Sequence, residues 1–388
     1  MAKFRELPGE LVEEILCRVP AKSLKRLRCS CKQWNRLVKD AAFARKHSDK
    51  SAKQVTCLML MNHLRISEMS MNLDGKPPSV EVKAELSLLD PRSSKSSLQV
   101  QFDVAEVRHC DGLLLCTSQD FKRIVVWNPF TGYTRWIEPG GERGGEFSLG
   151  YYQDKRSNTR RYKVLDSDIY DLLKSKIYDF DTGSWRIVDG GDSVTRPACS
   201  CNEQIVSFKG NTYWFASDEE KPELGVSLLR FDFETEKFGY LPLPYQSRYL
   251  TACFSVVGEE KLCVLLQQEI WSKTEIWVTD KIGESNKGVS WSRVLAFHLS
   301  LDLHVLSSAS FLLDEEKKVV VWCDGCVDEN GDRHTKDMIY IVGEDNNVTQ
   351  VEFGVDEING CWPSILTYFP SLAQIEPARG KKRKRSES

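Results

Sequence analysis

The sequence predicts a small all-α module at the N-terminus followed by a large all-β domain, for which a β-propeller is the favoured architecture. Apolar residues in the first 38 positions recur at the three- and four-residue spacing of amphipathic helices. From about Gln54 onward this spacing largely disappears, and short β-prone runs alternate with turn signals. A strand-turn-strand element also recurs, with its threonine repeated after 51 and then 53 residues. A repeat of this period in a β-rich chain is typical of propeller blades.

The N-terminal module is predicted to hold two or three short helices. The first carries one continuous apolar stripe, formed by Leu11, Val12, Ile15, Leu16 and Val19. Pro8 fits its first turn and Pro20 ends it. A second apolar face follows, with Leu24, Leu27, Cys31, Trp34, Leu37 and Val38. Helices this short cannot bury a core alone, so the module either docks on the neighbouring domain or lies in a partner's groove, and spacing favours neither.

Two kinds of hairpin alternate in the β domain. The first kind has Asn or Asp at the start of its turn and, at Gly132 and Gly183, a glycine suited to positive φ, and it occupies residues 126–136, 177–185 and 230–238. The second kind lies at 110–116, 208–214 and 257–262. Two hairpins per period give four strands per unit, which is the pattern of a kelch-like β-propeller. Weaker elements near residues 64–66, 275–280 and 339–342 bring the blade count to six or so, although two packed sheets also fit.

The N-terminal module resembles the plant F-box motif at nearly every signature position. The resemblance rests on Leu7-Pro8, Glu10-Leu11-Val12, Ile15-Leu16, Arg18-Val19-Pro20, Lys22-Ser23-Leu24, Arg26-Leu27-Arg28-Cys29, Cys31-Lys32 and Trp34. F-box motifs bind a Skp-type adaptor, which links them to a cullin scaffold. The resemblance therefore implies adaptor contacts at Leu7, Pro8, Leu11, Ile15, Leu16, Val19, Pro20, Leu24, Leu27, Cys31 and Trp34.

The distribution of charge agrees with this expectation. Residues 1–46 carry twelve Lys/Arg against five Asp/Glu, and residues 376–388 carry six against two, so residues 47–375 hold a net −14 within the total of −3. The family's adaptor is acidic, and a basic N-terminal module with Arg26, Arg28 and Lys32 would raise the rate of association with it. An acidic body makes nucleic-acid binding an unlikely function for most of the chain.

The β domain is similar to the plant F-box-associated domain, which is taken to recruit the protein to be ubiquitinated. The shared motifs are Cys110-Asp111-Gly112-Leu113, Trp127-Asn128-Pro129-Phe130-Thr131, Ser148-Leu149-Gly150-Tyr151 and Tyr368-Phe369-Pro370-Ser371-Leu372. We expect an F-box over residues 1–46, a linker over 47–53, the propeller over 54–375 and a disordered basic tail over 376–388. Within the tail, Lys381, Lys382, Arg383, Lys384 and Arg385 form a candidate nuclear import signal, with a solvated or nucleic-acid-touching tail as the alternative. The expected location is nucleus, cytoplasm or both.

No motif predicts a catalytic centre, a metal site or a cofactor. Cys323-Asp324-Gly325-Cys326 has the spacing of half a zinc site, but no second pair of ligands follows it. No apolar run approaches the ~18 residues of a membrane span. The sequence thus predicts the non-catalytic substrate receptor of an SCF-type cullin ubiquitin ligase, acting on an unknown target protein. Tyr133, Arg135, Tyr245 and Trp271 are candidate target contacts, and an F-box scaffold outside a ligase or a carbohydrate-binding or enzymatic propeller remain as alternatives.

Overall fold

The computed structural model describes residues 7–51, 54–61, 63–92, 100–141, 146–157, 159–167, 172–188, 197–198, 204–218, 225–245, 247, 249–269, 271–280, 289–299, 305–306, 309–327, 333–353 and 363–375. Four helices come first: α1 (Gly9–Leu16), α2 (Ala21–Leu27), α3 (Lys32–Val38) and α4 (Ala41–Lys50). Pro8 and Pro20 precede α1 and α2 as their N-caps, and the Asp40 side chain accepts a hydrogen bond from Phe43 N at the start of α4. None of the described helices is long and apolar enough to cross a membrane.

Helix α4 overlaps the segment expected to be a linker. Residues 47–50 form its last turn, so the helical module extends to Lys50 rather than ending at residue 46. The extension is held by contacts back to α1: Lys50 and Lys46 pair with Glu14, and His47 hydrogen-bonds to the carbonyl oxygen of Val19. A basic, polar stretch that reads as a linker is therefore helical because α1 supplies the opposite charges.

The β domain is a six-bladed propeller, which confirms the favoured architecture over two packed sheets. Blade 1 contains β1 (Thr56–Leu60), β2 (Ile66–Asn72) and β3 (Ser79–Glu85). Blade 2 contains β4 (Glu106–Cys110), β5 (Leu113–Thr117), β6 (Ile124–Asn128) and β7 (Tyr133–Ile137). Blade 3 contains β8 (Glu146–Asp154), β9 (Thr159–Ser167), β10 (Lys176–Asp179) and β11 (Ser184–Ile187), with a 3-10 helix at Leu172–Lys174.

The second half of the ring repeats this arrangement. Blade 4 contains β12 (Pro197–Ala198), β13 (Val206–Phe208), β14 (Asn211–Asp218), β15 (Val226–Asp232) and β16 (Lys237–Leu241). Blade 5 contains β17 (Thr251–Val257), β18 (Lys261–Gln267), β19 (Thr274–Thr279) and β20 (Trp291–Phe297). Blade 6 contains β21 (Ser310–Asp314), β22 (Val319–Val327), β23 (Arg333–Val342) and β24 (Val348–Phe353).

The last strand, β25 (Ser364–Tyr368), closes the ring. It pairs antiparallel with β1, from Thr56 opposite Tyr368 to Leu60 opposite Ser364, and becomes the innermost strand of blade 1. Each sheet is antiparallel, and β4, β8, β13, β17, β21 and β25 surround the central axis. Closure by a distant strand completes the four strands of blade 1 and joins the two ends of the β domain within one sheet.

The strand sequences explain why six sheets form. In β6, Val125 and Trp127 belong to the apolar core between blades 1 and 2, whereas Ile124 and Val126 belong to the core between blades 2 and 3. Successive residues of a strand point to opposite faces, so a continuous apolar run buries both of its faces. The run in β18 does the same, with alternate residues in the cores on either side of blade 5.

Candidate adaptor-binding surface and recognition face

Helix α1 has apolar residues on two faces, one buried and one exposed. Val12 and Leu16 lie in the core of the helical module. Leu7, Leu11 and Ile15 follow one another at four-residue spacing and expose 37%, 50% and 42% of their surface. Leu11 and Ile15 lie on the same side of α1 at this spacing, and Leu7 lies two residues before the helix begins. We call these three exposed apolar side chains the α1 strip.

The structure divides the eleven predicted adaptor contacts into three groups. The α1 strip and Pro8 are exposed, and Val19, Pro20, Leu27, Cys31 and Trp34 are half-buried. Leu16 and Leu24 are not surface residues, because the module's own core encloses them to 2% and 1% exposure. In this arrangement Leu16 and Leu24 support the strip from inside and offer no surface to a partner.

Several basic side chains of the helical module are exposed. The side chain of Arg18 is 66% exposed, and Arg26 and Lys32 are exposed while Arg28 is half-buried. Lys50, Lys46 and Arg18 all donate to the Glu14 carboxylate, and together they lower the pKa of Glu14 from its ordinary value of 4.5 to about 2. These pairs hold α4 against α1, whereas Arg26 and Lys32 take no part in them and present positive charge at the surface.

The helical module sits directly on the propeller. Phe130, from the turn between β6 and β7, and Leu372, from the segment after β25, are buried inside the module's core. The Lys25 ammonium lies 5.6 Å from the centre of the Phe130 ring. Lys22 pairs with Glu68 of β2 at 2.8 Å, and Arg160 of β9 donates to Ser48 of α4 at 3.1 Å. We call Phe130 and Leu372 the seat of the module.

The motifs of the F-box-associated resemblance build this seat. Asn128 is fully buried, donates from Nδ2 to the carbonyl oxygens of Ser371 and Ala373 at 3.0 Å, and accepts from Phe130 N and Thr131 N through Oδ1. Residues 369–375, the C-terminal strap, are therefore tied to the turn that carries Phe130.

Gly112 lets the strap approach closely. Its φ is +75°, and a Cβ added there would lie 2.1 Å from Ser371 Oγ, so a larger residue would displace the strap. The Tyr368 hydroxyl donates to Gly112 O at 3.1 Å, and Ser371 Oγ donates to Asp111 O at 3.0 Å. Asp111 in turn accepts from Arg160 and Tyr162. Three of the four motifs, at 110–113, 127–131 and 368–372, thus hold the strap and seat in place.

The opposite face of the propeller is left open by the helical module. Asp111 lies in the turn that joins the first strand of blade 2 to the second, and Phe130 lies in the turn that joins the third strand to the fourth. Because neighbouring strands are antiparallel, turns of these two kinds lie at the same end of every blade. The other end, the open face, carries Trp271 in the β18–β19 turn and Tyr245 in the β16–β17 connection. Trp271 is 72% exposed, whereas Tyr245 is half-buried and donates to Glu275.

The structure separates the four candidate target contacts accordingly. Trp271 and Tyr245 are on the open face. Tyr133 begins β7 at the module's end of blade 2 and donates to Ile375 O at 3.0 Å, so its hydroxyl holds the strap. Arg135 is half-buried within the outer strand β7. The two groups do not form one surface.

A cavity of about 420 Å³ occupies the centre of the ring. It is lined by the innermost strands and by the β5–β6 turn, including Ala105, Gln119, Phe121, Gln204, Ser310 and Ser364. Those residues lie at the starts of their strands or in that turn, so the cavity reaches the open face, while His109, Val256 and Thr367 extend it towards the other end. Glu106 and Arg108 of β4 also line it, and neither belongs to a motif singled out from the sequence.

Other chemistry-bearing groups of the described chain are part of the fold. Cys323 is buried in β22, while the side chain of Cys326 and the residues Lys381–Arg385 lie outside the described residues. Within the part of the chain that the structure describes, no three His, Cys, Asp or Glu side chains are grouped to hold a metal ion.

A helical module carrying an exposed apolar strip and seated on a six-bladed propeller defines the class, and comparison with known families agrees. Residues 4–46 match the F-box domain and residues 56–375 match the F-box associated beta propeller domain, so this chain belongs to the F-box proteins with that propeller.

Among curated relatives, it is 53% identical to F-box protein ETP2 of Arabidopsis thaliana, over 98% of each chain. It is 49% identical to F-box/kelch-repeat protein At3g44120, over 98% of each chain, and 46% identical to F-box protein ETP1, over 98% of this chain and 99% of that one; both are also from Arabidopsis thaliana.

Proposed function

We propose that this chain is the substrate-recognition subunit of an SCF-type cullin ubiquitin ligase. Its F-box binds a Skp-type adaptor, and its propeller holds a target protein. The observation that carries the proposal is the α1 strip, because three large apolar side chains exposed on and just before a short helix favour burial against a partner. The chain's part in catalysis is proximity: it holds the target near the charged ubiquitin carrier, and other subunits perform the transfer.

The position of the seat supports this division of labour. The helical module covers the turns that carry Phe130 and Asp111, so adaptor and scaffold approach from that end. The open face, with its exposed Trp271, points away from them. Tryptophan is enriched among residues that dominate binding energy at protein interfaces. A target on the open face would not compete with the adaptor for space.

The adaptor interface is tested with the full chain carrying Leu11→Asp and Ile15→Asp together. Each carboxylate would have to be desolvated unpaired where the strip docks, so binding to a purified Skp-type adaptor should be lost. Because both side chains are exposed in the free protein, folding should be unaffected. Ile187→Asp is the matched control, since Ile187 is an exposed apolar residue on the outer strand β11. Adaptor binding by the double variant at the level of the unchanged chain would refute the interface.

The ligase role is tested separately from adaptor binding. Proteins captured on the full chain from plant extract would be incubated with adaptor, cullin, ubiquitin carrier and ubiquitin. Ubiquitin transfer that depends on Leu11 and Ile15 supports the proposal. A partner that is captured, with adaptor bound, yet never modified would instead indicate a scaffold outside a ligase.

A further inference from the structure

The central cavity is large enough to hold a ligand group. Its volume of about 420 Å³ lies within the range of sites that hold small molecules or long side chains. Both polar and apolar residues line it, and most of its polar side chains already form hydrogen bonds within the fold.

At two serines of the lining, the internal bonds use the hydroxyl hydrogen and leave an acceptor. Ser207 donates to Leu149 O at 2.7 Å, and Ser255 donates to Phe311 O at 2.6 Å. A serine hydroxyl has one hydrogen and two lone pairs, so each of these serines keeps an oxygen able to accept. Gln204, in contrast, both donates to Ala309 O and accepts from Phe254 N. The two serines therefore favour a ligand group that brings its own hydrogens.

The charges on the wall point the same way. Arg108 donates through Nη1 to Glu106 at 3.0 Å and to Phe147 O at 2.6 Å, and through Nη2 to Glu146. One guanidinium thus pairs with two carboxylates, of which Glu106 lines the cavity and Glu146 lies behind it, outside the lining. The side chain of Glu106 is 26% exposed against 10% for Arg108 and 11% for Glu146, so the more open charge is negative. Only Oε2 of Glu106 accepts from Arg108.

We propose that the central cavity receives a basic side chain, arginine or lysine, of the bound target protein, with Glu106 as its counter-ion. A guanidinium or ammonium group supplies several donors and a positive charge, which matches the oxygens of Ser207 and Ser255 and the carboxylate of Glu106. The cavity reaches the open face, so a target there could insert one side chain without leaving its interface. The net −14 of residues 47–375 would also attract a basic segment. This inference rests on the proposed target-binding role of the propeller.

The probes are N-acetyl-arginine amide and N-acetyl-citrulline amide, which have nearly the same shape but differ in charge. Dissociation constants would be measured by ligand-observed NMR against the full chain bound to its Skp-type adaptor. The arginine derivative should bind at least tenfold more tightly than the citrulline derivative, as expected for a charge-assisted hydrogen bond. Equal binding of the two probes would overturn the proposal.

Two variants locate the effect. Glu106→Gln keeps the shape of the side chain and an oxygen for Arg108 but removes the charge, and it should weaken binding of the arginine derivative about tenfold. Glu138→Gln removes the same charge from an 89% exposed position after β7, outside the cavity lining, and should leave binding unchanged. Unaltered binding in Glu106→Gln, or equal losses in both variants, would place the interaction elsewhere and contradict the proposal.

A free diamine distinguishes a protein side chain from a small metabolite. Putrescine that binds tenfold more tightly than N-acetyl-arginine amide would show that the cavity is built for a free cation and would overturn the target assignment. Adaptor binding and ubiquitin transfer would be measured on the same Glu106→Gln sample. If adaptor binding and ubiquitin transfer persist, but the unchanged chain binds the arginine and citrulline derivatives equally, the cavity inference fails and the ligase role stands.

Discussion

Substitution of Asn128 by alanine should destabilise the protein strongly, although Asn128 is not itself a predicted binding residue. Its amide makes four hydrogen bonds in a fully buried position: two to carbonyl oxygens of the C-terminal strap and two from the backbone of its own turn. Alanine removes all four. The carbonyl groups of Ser371 and Ala373 then lose a donor, and Phe130 N and Thr131 N lose an acceptor.

The magnitude follows from the number of bonds. A typical intramolecular hydrogen bond contributes about 1 kcal/mol net, and a buried partner left unsatisfied costs more. Four bonds give about 4 kcal/mol, which is at the upper end for a single substitution. Asn128→Asp should not rescue stability, because a carboxylate keeps the acceptor atoms but places negative charge against two carbonyl oxygens.

Urea denaturation of the full chain measures this effect. Asn347→Ala is the control, since Asn347 is exposed and its amide bonds only to the neighbouring Asp345 side chain at 2.7 Å; we expect a change within about 0.5 kcal/mol. Hydrogen exchange at residues 369–375 should accelerate in Asn128→Ala. A loss below about 1 kcal/mol, or full stability in Asn128→Asp, would refute the assignment of Asn128 as the residue that ties down the strap.

Three further predictions concern the seat, acid sensitivity and the tail. Phe130→Ala should leave adaptor binding intact but widen the distribution of distances between a spin label on α1 and one on blade 5, because the seat loses a buried ring. Pulsed electron paramagnetic resonance measures this distribution. An unchanged distribution would contradict the role of Phe130 in holding the module on the propeller. The folded-state pKa of Glu14 is depressed, so the contribution of Glu14 to stability is present above pH 4.5 and is lost as the pH falls towards 2. Glu14→Gln should abolish that part of the acid sensitivity, measured by circular dichroism. An identical pH profile in the variant would show that the ion pairs contribute nothing. Deletion of residues 381–385 should shift a fluorescent fusion from nucleus to cytoplasm while deletion of 386–388 does not, and unaltered nuclear signal would leave the tail as a solvated extension.

The turns were the most predictable part of the fold, because their chemistry is local. Gly132 and Gly183 adopt φ of 78° and 70°, as the turn signals required. The third copy of that turn shows the limit of the rule: Glu236 takes the glycine position at φ 55° and is held there by Lys163 and Arg186, which pair with its carboxylate. Ion pairs between residues far apart in the chain cannot be predicted from the local sequence pattern of a turn.

Ring closure and the burial of the α1 region could not be predicted, because both depend on contacts between distant parts of the chain. Thr56 pairs with Tyr368, and nothing near either residue specifies the other. The apolar stripe of α1 is broad enough to face two ways, and packing against the other helices and the seat turns Leu16 inward while Ile15 stays exposed. Glu106 and Arg108 lie in an innermost strand, where two charged residues at alternate positions were the one available signal of a polar channel.

The seat also determines how recognition and adaptor binding are related in space. The strap follows directly after β25, so the strand that closes the propeller and the segment that receives the helical module are continuous. Folding of the ring therefore completes the seat, and a propeller that had not closed would leave Phe130 without Leu372 beside it. Because Val12 and Leu16 of α1 share one buried core with the seat, the distance from the α1 strip to the open face is a property of the fold. The position of a bound target relative to the adaptor is then set by the same buried contacts that stabilise the strap.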